Sequence, residues 1–263
     1  MSVEEESFVT VEQAGAVATL TLNRPAAFNV LSSAMLSVLQ TRLDALRANS
    51  SVRVVVIAAA GPAFCAGHDL KEMRKHEDRD WLGELFARCS TVMLTLADMP
   101  QPVIASVQGI ATAAGCQLVA ACDLAIASEQ ARFAASGVNL GLFCSTPAVA
   151  LTRSLATKHA AEMLFTGDFI DAERAERWGL VNRVVAHAEL SAATAQWAAA
   201  IAGKSGAALA SGKALLRKQR LMGMADAYTV AGINMAKDME SAEARTGIDN
   251  FLHRKSRASG AVL

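Results

Sequence analysis

The sequence lacks an excess of charge of either sign, paired cysteines and any clean apolar run long enough to cross a membrane. Its 25 basic residues balance 25 acidic ones, so no net positive field marks a nucleic-acid or membrane-surface binder. The five cysteines are scattered and contain no CxxC pair, which argues against a disulfide framework and a zinc site. We therefore expect a globular protein that has no metal ion and no nucleic-acid or membrane partner.

Composition indicates the size of the core and a compartment. With 263 residues, of which 52% are hydrophobic, the chain can bury a sizeable core. The first seven residues, MSVEEES, show neither the apolar segment of a signal peptide nor the Arg-rich pattern of a transit peptide. Together with the unpaired cysteines, this favours a cytoplasmic location.

Strand and helix patterns alternate up to about residue 188. Runs of β-branched residues predict strands at residues 8–11, 17–22, 52–58, 103–107, 124–127, 131–133 and 180–185. Apolar residues at helical spacing predict a helix that begins at Ser32 or Ser33, and others near residues 81–96, 118–122, 147–154, 159–165 and 172–178. Everything beyond residue 188 has a helical pattern. These patterns predict an α/β core over residues 1–188 and a helical C-terminal region over residues 189–263.

The stretch from Gly109 to Ser128, GIATAAGCQLVAACDLAIAS, combines small residues with a buried helix and a buried strand. Small side chains around Ala113 and Ala114 let backbone amides come close to a ligand. We predict that a helix begins at these residues, so that its free N–H groups and positive dipole end face the ligand. Peptide N–H groups in a dry pocket are suited to stabilising charge that develops on a carbonyl oxygen.

Three segments of the chain, in the same order, resemble those of the crotonase or enoyl-CoA hydratase/isomerase superfamily. They are NRPAAFNVL at residues 23–31, AFCAGHDLKEM at residues 63–73 and the stretch at residues 109–128. Two further matches, LFTGDFIDAERAERWGLVNRVV at residues 164–185 and FLHRKSR at residues 251–257, extend the resemblance over nearly the whole chain. Within the superfamily, the chain is most similar to the enoyl-CoA hydratase domain-containing proteins.

The resemblance implies a spiral of repeated strand, strand and helix units, followed by a C-terminal helical trimerisation region. Such proteins assemble as homotrimers or as dimers of trimers, which are hexamers. The resemblance also implies an acyl-CoA thioester as the ligand, so coenzyme A enters as part of the substrate and no separate cofactor is expected. The implied activity is that of an enoyl-CoA hydratase or isomerase, a lyase-type reaction of fatty-acid metabolism.

The resemblance further implies which residues form the site. In this family two backbone N–H groups form an oxyanion hole that holds the thioester oxygen, and their positions here are His68 and Ala114. The family usually has glycine at the second position, but alanine keeps the N–H group. The positions that would contact the thioester, its pantetheine arm and its nucleotide are Ala26, Phe28, Ala66, His68, Asp69, Leu70, Lys71, Ala114 and Lys255.

The chain departs from the family at the two positions where a hydratase has the glutamates that activate water. These positions are Gln117 and Gly137, and neither can take a proton at neutral pH. Ser145 falls where related isomerases have an aspartate and is a candidate replacement. The retained part stabilises an enolate, whereas the missing part drives hydration, so we expect weak or altered activity.

Two alternatives to a hydratase-like enzyme remain open from the sequence. One is decarboxylation of a malonyl-type thioester, which needs no proton taken from carbon; the other is a catalytically silent CoA-binding protein. Single residues also have two interpretations. The His68 side chain can act on the substrate or contribute only its backbone, and Asp69 can be an acid or a helix cap. Gln117 can hold water or pack in the core, and Cys144 can be a nucleophile or a small buried side chain.

Overall fold

The computed structural model describes residues 7–76 and 78–259, with side chains as far as residue 253. It contains two compact units, Met1–Gly203 and Lys204–Leu263. Within the described residues, all strands lie in the first unit, and the second unit is helical. The predicted mixed α/β class is therefore confirmed. None of the described helices combines the length and the hydropathy of a membrane span.

Two sheets form the framework of the first unit. The strands are β1 (Val9–Ala14), β2 (Val17–Leu22), β3 (Val54–Ala59), β4 (Ala63–Cys65), β5 (Val103–Val107), β6 (Ile110–Thr112), β7 (Leu124–Ser128), β8 (Arg132–Ala134), β9 (Ile170–Asp171) and β10 (Arg183–Val185). One sheet has the order β1-β2-β3-β5-β7-β10 and the other has the order β4-β6-β8-β9. The pairs β1–β2 and β8–β9 are antiparallel, whereas the other pairs are parallel.

A repeated strand pair links the two sheets. In β3–β4, β5–β6 and β7–β8, the first strand enters the six-stranded sheet and the second enters the four-stranded sheet, and helices follow each pair. This arrangement is the expected spiral of strand, strand and helix units. The strands β4, β6 and β9 are missing from the sequence-based prediction, because two or three residues are too few to show an alternation.

The helices begin and end close to the predicted positions. They are α1 (Ser33–Ala48), α2 (Leu70–Lys75), α3 (Arg79–Asp98), α4 (Ala114–Ala121), α5 (Ser145–Ser154), α6 (Thr157–Thr166), α7 (Ala172–Trp178), α8 (Leu190–Ala202), α9 (Gly206–Gln219), α10 (Met224–Met239) and α11 (Ala242–Ser259). Ser32 is the cap of α1, because its hydroxyl accepts a hydrogen bond from the Met35 N–H at 3.2 Å. The apolar face of α1, which includes Leu36 and Leu43, is buried, and α1 packs against α3.

Helix α8 belongs to the first unit, although the expected boundary at residue 188 assigns it to the C-terminal region. It packs against β2, β3, β5 and β7, and Leu190 and Ala198 are buried there together with Ile104. A helical pattern in the sequence does not reveal which helix lies on a sheet. The units divide after Gly203, and the boundary is corrected accordingly.

The second unit, taken by itself, buries little of its apolar surface. The Ser211 hydroxyl of α9 donates to the Asp238 carboxylate of α10 at 2.9 Å and accepts a bond from the Asn234 amide of α10 at 2.8 Å, which links the two helices. Among the described side chains of this unit, no apolar one is buried. Its large apolar side chains that are exposed are Leu216, Leu221, Met224, Tyr228, Ile233, Met235, Met239, Ile248, Phe251 and Leu252. Exposed apolar side chains that form a large contiguous patch are typical of interaction surfaces.

Candidate functional site

Gly67 brings the chain before His68 against the start of α4. A Cβ atom on Gly67 would lie 3.5 Å from the backbone nitrogen of Ala114 and 3.1 Å from the Cβ of Ala113. Its φ of +92° also favours glycine. The structure therefore brings together the two segments that carry the expected oxyanion positions, His68 and Ala114.

The backbone N–H groups of His68 and Ala114 have no hydrogen-bond acceptor within the described part of the chain. The Gly67 carbonyl accepts a bond from the Leu31 N–H at 2.7 Å, so in the trans peptide the His68 N–H points away from Leu31. Ala114 is the first residue of α4, and N–H groups in a first helical turn lack a partner inside the helix. Both donors are available to a ligand.

Ala113 adopts a strained backbone conformation directly before these donors. Its φ of 49° and ψ of −118° place an L-residue in a sparsely populated region, which costs about 1–3 kcal/mol. A hydrogen bond from the Ala113 N–H to the Ala134 carbonyl, at 3.0 Å, ties this residue to the end of β8. The strain is stored where the chain must turn so that α4 begins beside Gly67.

Asn29 anchors the loop between β2 and α1. Its side chain is buried; Oδ1 accepts a bond from the Arg24 N–H at 2.8 Å. Nδ2 donates to the carbonyl oxygens of Ala60 at 2.9 Å and Ala63 at 2.8 Å. The loop is therefore fixed to the turn that precedes β4 and the His68 segment.

The expected contact residues of this loop lie beside that segment. The Phe28 carbonyl accepts a bond from the Ala66 N–H at 3.0 Å. Phe28, which has a φ of 51°, is 54% exposed, and Ala26 is exposed as well. Both side chains are accessible at the edge of the candidate site.

Asp69 is a helix cap. Its Oδ1 accepts bonds from the N–H groups of Lys71 at 3.0 Å and Glu72 at 3.1 Å, which satisfies the first turn of α2. Of the two interpretations of Asp69, the structure supports the cap. Leu70 and Lys71 are exposed on α2, where both are accessible. The side chain of Lys255 lies outside the described side chains.

The His68 imidazole is partly buried and has contacts at one nitrogen and at its ring edge. Its Nδ1 lies 3.2 Å from the Leu31 carbonyl oxygen, and its ring contacts the ring of Phe86 edge-on at 5.3 Å. Burial lowers the pKa of His68, and the Leu31 carbonyl and the Glu72 carboxylate oppose this in part. The Nε2 atom is buried without a partner among the described residues.

Gln117 lies one turn after Ala114 in α4 and is 4% exposed. Its Oε1 atom is buried without a hydrogen-bond donor in the described part of the protein. An unsatisfied buried acceptor costs about 1–3 kcal/mol. The position therefore has a neutral amide with unused hydrogen-bonding capacity, where the family has a carboxylate.

Gly137 leaves no room for the second carboxylate. A Cβ atom on this residue would lie 2.6 Å from the Leu142 carbonyl oxygen and 2.8 Å from the Cys144 Sγ atom. The Gly137 N–H also donates to that sulfur at 3.3 Å. Ser145 is exposed, and its hydroxyl donates to the Phe143 carbonyl at 3.4 Å. The structure therefore does not bring Ser145 into the buried part of the site.

The cysteines are unpaired and mostly buried. Burial raises the pKa of the Cys65, Cys89 and Cys116 thiols to about 12, and burial also raises the pKa of Cys144. Protonated thiols are poor nucleophiles, so Cys144 fits the interpretation of a small buried side chain. Among the described residues, no three His, Cys, Asp or Glu side chains are grouped to hold a metal ion.

Thr112 and Ser136 form a polar contact that the sequence reasoning missed. Their hydroxyl oxygens are 2.7 Å apart. Thr112 directly precedes Ala113, and Ser136 directly precedes Gly137. The available signal was a hydroxyl two residues before Ala114 and another directly before Gly137, but nothing in the sequence showed that the two would meet.

Comparison with known proteins gives close matches over nearly the whole chain. A crystal structure of enoyl-CoA hydratase from Mycobacterium smegmatis superposes with a TM-score of 0.92 at 52% identity, covering 94% of this chain and 96% of the other. The crystal structure of human enoyl Coenzyme A hydratase domain-containing protein 3 has a TM-score of 0.91 at 42% identity, covering 94% and 98%. The mouse (Mus musculus) enoyl-CoA hydratase domain-containing protein 3, mitochondrial, is 41% identical over 97% of this chain and 85% of its own length.

The expected cytoplasmic location is corrected by these comparisons. The mouse, rat and human relatives, at 41–42% identity, are all named as mitochondrial proteins. The expectation rested partly on reduced cysteines, and free thiols persist in any compartment that keeps them reduced. Cysteine content therefore could not discriminate between such compartments.

The family-level match covers the elements that form the site. The family model described as enoyl-CoA hydratase/isomerase matches residues 12–258, a range that includes both sheets, the His68 segment and α4. The resemblance read from the five motifs is thereby confirmed. The chain belongs to the enoyl-CoA hydratase/isomerase family.

Proposed function

We propose that this protein binds acyl-CoA thioesters and stabilises negative charge on the thioester oxygen through the backbone N–H groups of His68 and Ala114. The observation that carries the proposal is the packing of Gly67 against Ala114, with both N–H groups free of protein acceptors. The label that fits best is an enoyl-CoA hydratase-like enzyme, a lyase of fatty-acid metabolism with altered activity. Coenzyme A is then part of the substrate.

The magnitudes favour enolate stabilisation over hydration. One oxyanion donor is worth about 2.7–4 kcal/mol of transition-state stabilisation, and both donors are retained. A general acid or base is worth about 10² to 10⁴ in rate, and neither Gln117 nor Gly137 supplies one. We expect hydration by the mechanism that uses two carboxylates to be slow.

The binding step is tested with two ligands that differ only at the thioester carbonyl, whose oxygen is replaced by two hydrogens in the second ligand. Butyryl-CoA has the thioester oxygen, whereas S-butyl-CoA, the thioether, lacks it. Each is titrated against the intact protein, with affinity measured by calorimetry and by the rise in melting temperature. We expect the thioester to bind at least about tenfold more tightly. Equal affinities would show that the protein does not bind the thioester oxygen. If neither ligand binds, the whole proposal is wrong.

A backbone substitution tests the Ala114 donor directly. Ala114→Pro deletes the N–H group at the first position of a helix, where proline is well tolerated. Arg79→Pro makes the same change at the first residue of α3 and serves as the control. We expect the first variant, but not the second, to lose the preference for the thioester over the thioether, provided that circular dichroism shows both to be folded.

Decarboxylation of a malonyl-type thioester is a second candidate reaction. It is favoured by the absence of an acidic side chain at positions 117 and 137, because losing CO₂ forms the enolate without a base. Turnover of malonyl-CoA, crotonyl-CoA and a 3-enoyl-CoA should be compared at equal protein concentration. Turnover of none of them, with butyryl-CoA still bound, would leave a catalytically silent CoA-binding protein.

We also propose that the second unit mediates self-assembly into a homotrimer or a dimer of trimers. Its support is the set of exposed apolar side chains on α9, α10, α11 and the turn between α9 and α10, which includes Leu221 in that turn and Met235 on α10. Sedimentation should give three or six times the 27.6 kDa chain mass. Leu221→Glu together with Met235→Glu should yield smaller species, and an unchanged assembly would place the interface elsewhere.

A further inference from the structure

The Thr112 and Ser136 hydroxyl groups have a hydrogen-bond donor to spare. Two O–H groups are present, and the contact of 2.7 Å between the oxygens uses one of them. No other acceptor or donor for either hydroxyl occurs within the described part of the chain. Thr112 is 9% exposed and Ser136 is partly buried, so the remaining O–H group has no acceptor among the described residues of the protein. The pair is therefore suited to an acceptor that arrives with a ligand.

The backbone of Thr112 lies beside the segments that carry the proposed oxyanion positions. The Thr112 carbonyl oxygen is 3.2 Å from the Cβ position on Gly67, so Thr112 belongs to the same close contact that brings His68 and Ala114 together. Ser136 adjoins Gly137, the position at which the family places a residue that acts on the acyl carbons. The two hydroxyls thus bridge the oxyanion segment and the loop beyond it.

We propose that the Thr112 and Ser136 hydroxyl pair recognises a carboxylate on the acyl group, so that the substrate is a CoA thioester of a dicarboxylic acid. This inference rests on the proposed function. The spare O–H donates to a carboxylate oxygen, which forms a stronger bond than a neutral acceptor does.

The charges around the pair favour an anionic acyl group. Positions 117 and 137 carry no charge, whereas carboxylates there would repel a second carboxylate in a poorly solvated site. The acidic side chains nearest in sequence to His68 are already engaged, because Asp69 caps α2 and the Glu72 carboxylate accepts a bond from the Ser33 N–H at 2.9 Å. The N-terminus of α4 adds partial positive charge.

The experiment compares a charged and an uncharged acyl group of similar length. Sulfoacetyl-CoA carries an anionic group that cannot leave as CO₂, and butyryl-CoA carries none. Dissociation constants for both are measured by calorimetry on the intact protein and on Ser136→Ala and Thr112→Val. We expect the wild type to prefer sulfoacetyl-CoA by about tenfold, which corresponds to 1.4 kcal/mol. Each substitution should reduce that preference, the ratio of the two dissociation constants, to about twofold or less.

A second hydroxyl pair in the same protein provides the control. Ser106 and Thr194 are buried and hydrogen-bonded at 3.0 Å, where α8 packs on the six-stranded sheet. Thr194→Val should leave both affinities unchanged. Binding of butyryl-CoA without a preference for sulfoacetyl-CoA, or a preference that survives both substitutions at the site, overturns this inference alone. Binding of neither ligand overturns the proposed function and the inference with it.

Discussion

The Leu142 carbonyl oxygen is packed against Gly137 so closely that a Cβ atom on Gly137 would lie 2.6 Å from it. The loop therefore occupies the space that a side chain at position 137 would need. A backbone oxygen cannot move aside as the end of a flexible side chain can. Introducing a glutamate at position 137 therefore requires the loop backbone to move. Replacing Gln117 with glutamate keeps a side chain of nearly the same size.

We expect Gly137→Ala to lower the free energy of unfolding by about 1–3 kcal/mol, because it overpacks the loop. Gly83→Ala is the control: Gly83 lies in α3 with nothing within 4 Å of its Cβ position, and alanine there should stabilise by about 0.5–1 kcal/mol. Urea denaturation measures both.

For the same steric reason, Gln117→Glu alone should raise the rate of crotonyl-CoA hydration more than its combination with Gly137→Glu does. A higher rate for the combination would contradict this packing.

Much of the fold could be predicted from the sequence, because long elements carry their own pattern. The Leu36, Leu39 and Leu43 spacing identified α1, and the β-branched run identified β3. The close contacts of the site could not be predicted. That Gly67 meets Ala114, or that Thr112 meets Ser136, depends on two chain segments brought together by the whole spiral. The motifs assigned the site positions through the resemblance, whereas the room available to a side chain at Gly137 depends on how Leu142 and Cys144 pack against it.

Gly67→Ala tests the contact between the His68 segment and α4. An L-residue at positive φ costs about 1–2 kcal/mol, and the contacts at 3.1 Å and 3.2 Å add crowding to it. Gly179→Ala is a matched control, since its φ is +86° but nothing lies within 4 Å of its Cβ position. Thermal unfolding should show a larger loss for the first variant. The first variant alone should also lose the stabilisation by butyryl-CoA, and equal behaviour of the two variants would refute a special contact at Gly67.

The stability of the protein should fall in mild acid because of His68. Its pKa is lowered from the ordinary value of 6.5, so below pH 6.5 the unfolded state takes up a proton that the folded state does not. Stability is therefore fully present above that pH and declines as the pH falls toward the folded pKa, by at most about 1.4 kcal/mol per pH unit. His68→Asn keeps a donor for the Leu31 carbonyl and should flatten this part of the curve. An unchanged slope would show that another group is responsible.

Thiol labelling distinguishes the two interpretations of Cys144. At pH 8 the folded protein should react quickly with a disulfide reagent at Cys122, which is partly exposed. The buried cysteines should react slowly. A pKa of about 12 leaves almost no thiolate at Cys65, Cys89 and Cys116. Cys122→Ala should remove the fast phase. Mass spectrometry that finds Cys144 labelled in the fast phase would restore the nucleophile interpretation.

We expect the stability of the protein to depend on the two hydrogen bonds that the Asn29 amide donates more than on the shape of the side chain. Asn29→Asp can keep the φ of 54° and the bond from the Arg24 N–H, but its carboxylate would face the Ala60 and Ala63 carbonyl oxygens that now accept bonds at 2.9 Å and 2.8 Å. Burying a charge against two acceptors should cost more than about 3 kcal/mol. Asn29→Gly tolerates the same φ without adding charge and should cost less. If Asn29→Asp proves the more stable of the two in urea denaturation, these donated bonds do not hold the loop. The placement of Phe28 beside Ala66 would then need another cause.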